Sequence, residues 1–282
     1  MPGTILIGVD VESVSESSRV YAERGAEFFA SEGVPVTWYL TGRTLEEYPD
    51  DFARVERSGA VDIQSHTYEH ILLKTVLMEI PKGLCIHDRT DWYLVKGGSA
   101  EEIDKSLERC QKLFEDVLGR RAIGLTGPYG YYRGLGDRLD LLEIVHRHGF
   151  RFLRTYARDA RDGQPVPVEV QPYFYKEQGF PDILEIGIQG YQDDGYYVAF
   201  NPREDVSTYP AYLRQVADRV AKEDLVWSLC THDHGCPTPE AFAERTSWLL
   251  NLIRYARSLG IRFMTGSAYY AERAARESAA KR

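Results

Sequence analysis

The sequence lacks any apolar run approaching the length of a membrane span, so no transmembrane helix is expected. Cysteine is scarce: the four residues Cys85, Cys110, Cys230 and Cys236 are too few for a disulfide scaffold and fit a reducing compartment. There is no basic stripe, and 34 Lys and Arg against 43 Asp and Glu leave a formal net charge of −9. A surface of that sign does not neutralise phosphates, which argues against a nucleic-acid partner. Also missing is a basic segment leading into an apolar core and a small-residue cleavage site. Met1-Pro2-Gly3-Thr4 runs directly into Ile5-Leu6-Ile7-Gly8-Val9, so a cytoplasmic location is expected. No linker, low-complexity tract or fixed-period repeat divides the chain, and one domain over 1–282 is expected. Whether copies of it associate into a homo-oligomer is left open.

What is present is an alternation of short apolar runs with amphipathic segments. Runs at 5–9, 36–40, 61–63, 122–125, 150–153, 183–186, 225–229 and 261–264 read as strands. Helical spacing is seen over 17–31, 47–58, 99–118, 137–148, 204–222 and 239–259. The clearest start signal is Ser99 followed three positions on by Glu102, a capping box. Strand–helix alternation calls for parallel strands with crossover helices, as an open sheet or a barrel. With 282 residues and 43% hydrophobic content, the chain is of the size of a single α/β barrel. The polar segments 79–98 and 157–180 show no clear period and are expected to be long loops, of the kind that serve as lids.

The side chains that carry chemistry fall where strands end. His66 and His70, in Ser65-His66-Thr67-Tyr68-Glu69-His70, follow the run at 61–63. On a helix, positions i and i+4 stand about 5–6 Å apart on one face, so two neutral imidazoles there reach one divalent cation. Asp10 and Glu12 come directly after the first strand, and two carboxylates two apart in extended chain point to one side. Thr126-Gly127-Pro128-Tyr129-Gly130-Tyr131 forms a Gly/Pro turn able to present backbone N–H groups to an oxyanion, or simply an aromatic turn. Asp193 and Asp194 follow the strand near 183, and His232 follows the strand at 225–229. Cys230, His232, His234 and Cys236 alternate with period two. Same-face neighbours on a strand are about 6.6 Å apart, so a straight strand cannot bring all four to one ion.

With these residues in hand, the chain resembles the polysaccharide deacetylase family (carbohydrate esterase family 4, the NodB-homology group) over nearly its whole length. Ser65 to His70 matches the family's H-[ST]-x-x-H metal motif, Thr126 to Gly130 stands at its R-x-P-[YW]-G, and Leu229-Cys230-Thr231-His232 resembles its last leucine-and-histidine motif. Val9-Asp10-Val11-Glu12 looks like the D-x-[DE] variant of an intracellular branch that includes allantoinase-like members. Leu184-Glu185-Ile186 with Tyr191-Gln192-Asp193-Asp194 resembles that branch's E-I-P…W-Y-x-D-D stretch.

The resemblance implies a distorted (β/α) barrel of about seven parallel strands. It implies a divalent metal, zinc or else manganese, iron or cobalt, held by Glu12, His66 and His70. Asp10 would be the general base, His232 the general acid, the Tyr129 N–H an oxyanion donor, and Asp194 a further catalytic-site carboxylate. The implied activity is hydrolysis of a non-peptide C–N amide bond, most simply deacetylation of an N-acetylated amino sugar. The alternatives are a cyclic ureide or imide as substrate, and a non-catalytic carbohydrate-binding relative. Three features depart from the pattern: Glu12 replaces the usual Asp, Thr126 stands where an arginine orients the base, and Gly187 and Gln192 break the last stretch.

Overall fold

The computed structural model describes residues 3–80, 91–193 and 206–280. Strand β1 (Thr4–Val11) is buried at every position, as its near-continuous apolar run requires of a strand covered on both faces. It pairs in parallel with β2 (Val36–Leu40) on one side and with β10 (Val226–His232) on the other. From β2 the sheet continues through β3 (Asp62–Ser65), β6 (Gly124–Tyr132), β7 (Phe152–Arg158) and β9 (Phe180–Glu185), each parallel to the last. Antiparallel β8 (Tyr173–Tyr175) lies beyond β9, and the short β11 (Arg262–Phe263) lies beside β1. The order β10-β1-β2-β3-β6-β7-β9 gives the expected row of seven parallel strands.

Among the described residues no ladder joins β9 to β10, and hydrogen bonds from Gln189 and Gln171 span the gap. Gln189 donates its backbone N–H to the Ser228 carbonyl (3.2 Å) and accepts from the Ser228 N–H through Oε1 (2.7 Å). Gln171 makes the same two-way contact with Val226, at 2.9 Å in each direction. The barrel is therefore distorted at this seam, with amide side chains where backbone pairing would otherwise close it.

Helices cover the outside: α1 (Glu16–Val20), α2 (Ala26–Glu32), α3 (Gly42–Glu47), α4 (Pro49–Ser58), α5 (Ala100–Leu118), α6 (Leu139–Arg147), α7 (Tyr209–Glu223), α8 (Pro239–Ser258) and α9 (Gly266–Ala280). The Ser99/Glu102 capping box starts α5 as its sequence predicts. The helix expected over 17–31 is broken by a π turn, Tyr21–Gly25, between α1 and α2. Gly25 makes room there: a β-carbon would sit 2.8 Å from the Tyr21 ring and 2.9 Å from Trp38. The helix expected over 47–58 begins anew at Pro49, which opens α4 at its first position.

The segment 79–98, expected to be a loop, is a correction: it belongs in part to an antiparallel hairpin of β4 (Val76–Ile80) and β5 (Asp91–Val95). Val76 joins the core at 1% exposure, whereas Leu94 on β5 is 71% exposed, so the hairpin is anchored at one end and open to solvent along β5. The segment expected as a loop over 157–180 likewise includes the end of β7 and all of β8. None of the described helices is long and apolar enough to cross a membrane.

Candidate active site

The carboxyl ends of the parallel strands meet at one end of the barrel, where sites form in such folds. Asp10 lies opposite His232 in the β1–β10 ladder, and His66 immediately follows β3. His66 and His70 are not on a helix, contrary to the geometry first expected from their spacing. The chain leaves β3 in an irregular turn in which Thr67 and His70 both adopt φ of +61°. Backbone bonds from Gly42 to the Thr67 carbonyl (2.9 Å) and from Arg43 to the Tyr68 carbonyl (3.0 Å) hold that turn. The two rings end up edge to face, with centroids 4.7 Å apart.

Glu12 reaches into this pair. Its Oε2 lies 2.7 Å from His66 Nε2 and 2.9 Å from His70 Nε2, and the three donor atoms fall within 4.8 Å of one another. Burial pushes the Glu12 carboxyl up, but hydrogen bonds from His234, His66 and His70 outweigh it and hold the group well below the usual carboxylate range. His66 Nδ1 faces the Thr126 carbonyl (3.2 Å), so both ring nitrogens face oxygen acceptors. A neutral imidazole has one N–H, which leaves one ring nitrogen lone pair directed at an oxygen acceptor, the Thr126 carbonyl or the Glu12 carboxylate. A cation shared among Nε2, Nε2 and Oε2 resolves that clash, and an O,N,N donor set with remaining positions open suits a hydrolytic divalent metal. The residues fit the metal.

A second cluster, Asp10, Cys230 and His232, has similar spacing. Burial pushes the Cys230 thiol up to about 12, which keeps it protonated in the metal-free chain. Asp10 is also already engaged by the Arg154 guanidinium through Nη2. Of the two clusters, only Glu12, His66 and His70 is chemically prepared for a cation. The Cys236 thiol turns to the His234 carbonyl, while its backbone N–H donates to Ser17 Oγ, so the period-two row of Cys and His does not converge on one ion.

Arg154 is the residue that sequence reading missed. It is 1% exposed, lies on β7 opposite Thr126 in the ladder, and stacks its guanidinium 4.3 Å over the Tyr39 ring. Thr126 Oγ1 donates to the Arg154 carbonyl at 2.9 Å. An arginine from the adjoining strand thus stands beside Thr126 and crosses the barrel to Asp10. Burial opposes the Arg154 charge, and the Asp10 charge more than restores it. Gly8 was the available signal: a β-carbon there would sit 2.9 Å from Arg154 Nη1, and glycine inside a buried strand marks such close approach.

His232 is held through Nδ1, 2.7 Å from Asp193 Oδ1, while Asp193 Oδ2 accepts from Thr231 Oγ1 (2.7 Å) and the His232 N–H (3.1 Å). The carboxylate that orients His232 is therefore Asp193; Asp194 lies outside the described residues. Asp10 Oδ2 is 3.8 Å from His66 Nε2 and accepts from the Cys230 thiol at 3.5 Å. Tyr129 adopts φ of +62°, its carbonyl accepts from Arg158 Nε (3.1 Å), and its ring lies 5.8 Å from that of His70.

Residues 6–153, just over half of the chain, match the family model described as polysaccharide deacetylase. No curated protein matches the chain. Among solved structures, a protein described as a polysaccharide deacetylase from Mycobacterium smegmatis is 15% identical with a TM-score of 0.66, covering 97% of this chain and 91% of its own. One so described from Pseudomonas aeruginosa PAO1 is also 15% identical, with a TM-score of 0.64 and coverage of 95% and 89%. The PuuE allantoinase is 15% identical with a TM-score of 0.63 and the same coverage, 95% and 89%. At this identity the likeness shows the fold.

Proposed function

The chain belongs to the polysaccharide deacetylase family, and from that premise we propose that it is a metal-dependent hydrolase of a non-peptide C–N amide bond, acting to deacetylate an N-acetylated amino sugar. The observation that carries this reading is the meeting of Glu12 Oε2 with two histidines, beside a carboxylate and a separately oriented imidazole. We take Glu12, His66 and His70 as the ligands and the whole of 1–282 as one catalytic domain. When bound, a divalent cation such as zinc supplies Lewis-acid polarisation of the acyl oxygen and acidifies a water.

The chain's own groups supply the proton transfers. Asp10, pinned by Arg154, takes the proton from the attacking water, and the ion pair keeps the carboxylate aimed across the barrel. His232 gives a proton from Nε2 to the leaving nitrogen, with Asp193 stabilising its charged form. The left-handed turn at Tyr129 is taken to direct its backbone N–H toward the developing oxyanion. The buried thiols Cys110, Cys230 and Cys236, none of them in a disulfide, suit work in a reducing compartment.

A second reading, opening of a cyclic ureide or imide, is favoured by the shared fold with an allantoinase. Incubation with a panel of N-acetylated amino sugars and cyclic amides separates the two. The proposal expects acetate release from an N-acetyl sugar, abolished in Asp10→Asn and in His232→Ala. Ring opening of the cyclic amides without acetate release selects the second reading, and a metal-loaded protein that binds sugars without turning them over removes both.

A further inference from the structure

We infer that His234 is a positioning residue for Glu12: it occupies one carboxylate oxygen, Oε1, and so commits the other, Oε2, to His66, His70 and the cation between them. This rests on the metal reading above and concerns a residue that the reaction itself does not use. His234 Nε2 lies 3.3 Å from Glu12 Oε1, whereas both His66 and His70 meet Oε2. His234 stands outside the set of donor atoms that lie within 4.8 Å of one another, so it holds a ligand and does not join the set.

The placement is built into the strands. Asp10 and His232 are opposite each other in the β1–β10 ladder, and Glu12 and His234 each lie two residues further along, just past the ends of the two strands. Between them the buried Asp233 fastens the two chains. Its carboxylate accepts from the Glu12 N–H (3.2 Å), the Ser13 N–H (3.2 Å) and the hydroxyls of Ser13 and Ser18. Its own N–H donates to the Asp10 carbonyl (3.1 Å). The roots of both side chains are therefore fixed relative to each other. The His234 ring is further restrained by stacking on His232, with centroids 5.1 Å apart and planes 15° from parallel.

Glutamate needs such a partner more than aspartate does. One extra rotatable bond gives its carboxylate more orientations to lose on binding an ion. A hydrogen bond to the oxygen that does not ligate removes that freedom in advance, and outer partners of this type typically change metal affinity about 10–100-fold.

The test is a Co2+ titration of the metal-free full chain, followed by its visible absorption, in the parent, His234→Ala and His234→Gln. His234 is 38% exposed, so the substitutions are expected to fold, and thermal melts of the metal-free proteins check this. Loss of Co2+ affinity of about 10–100-fold is expected in H234A, with the absorption bands of the saturated protein unchanged because the ligand set is intact. H234Q, whose amide N–H falls near the same place, regains most of that affinity. Equal affinity in the parent and H234A overturns the inference while leaving the metal site standing. Altered bands in saturated H234A also overturn it, because His234 would then be a ligand. A parent protein that binds no Co2+ overturns the metal reading itself, and this inference with it.

Discussion

Arg154 and Asp10 form a buried ion pair between residues 144 positions apart, and removing one partner leaves the other charge buried without compensation. Arg154→Met is expected to lower unfolding stability by about 3–5 kcal/mol in urea titrations, and to lower kcat more than it raises KM because the base loses its aim. A kcat equal to that of the parent contradicts the role given to Arg154. Glu185 gives a pH-dependent counterpart. It is buried and accepts from the N–H groups of Thr155, Tyr156 and Gly187 and the hydroxyls of Thr155 and Tyr175. Burial nevertheless raises its carboxyl above the ordinary value. The folded chain thus keeps this proton to higher pH than the unfolded chain does. Its contribution to stability is full below the unfolded value and is lost as pH rises through the folded one. Glu185→Gln cannot ionise, so its stability deficit against the parent is expected to shrink as pH rises from the ordinary carboxylate range through the raised folded value. A deficit that widens over that interval contradicts the assignment.

At the scale of elements, strand ends carry the site, and most of them can be read from the chain. Near-continuous apolar runs mark β1, β2 and β10, and Ser99 with Glu102 marks the start of α5. Ser99→Ala is expected to cost about 1 kcal/mol of stability by freeing the Glu102 N–H, a loss readable in a urea titration. Short exposed pairing is harder to read: Trp92, Tyr93 and Leu94 on β5 are exposed, so their apolar run does not mark a buried face. The turn after β3 is hidden for another reason. A spacing of four fits a helix, and nothing local announces that Thr67 and His70 take left-handed backbone held by bonds from Gly42 and Arg43. Asp193 was legible as half of an acidic pair, but which half meets His232 depends on how the chain arrives from β9. Arg154 shows the limit most clearly, since only the bare strand position Gly8 hints at a guanidinium crossing there.

Across the whole molecule, a cation held by Glu12, His66 and His70, as proposed above, would tie the segment just after β1 to the turn after β3. Such an ion binds the folded chain and not the unfolded one, so at a hundredfold excess over its dissociation constant it adds about 2.7 kcal/mol of stability. The fold alone does not decide activity, because unrelated functions share folds and the site must carry the claim. Calorimetric titration of the metal-free chain with Zn2+ tests that claim most directly. The account predicts one ion bound per parent chain and no comparable binding in His70→Ala. Absence of binding in the parent, or binding of equal strength and stoichiometry in H70A, would contradict it.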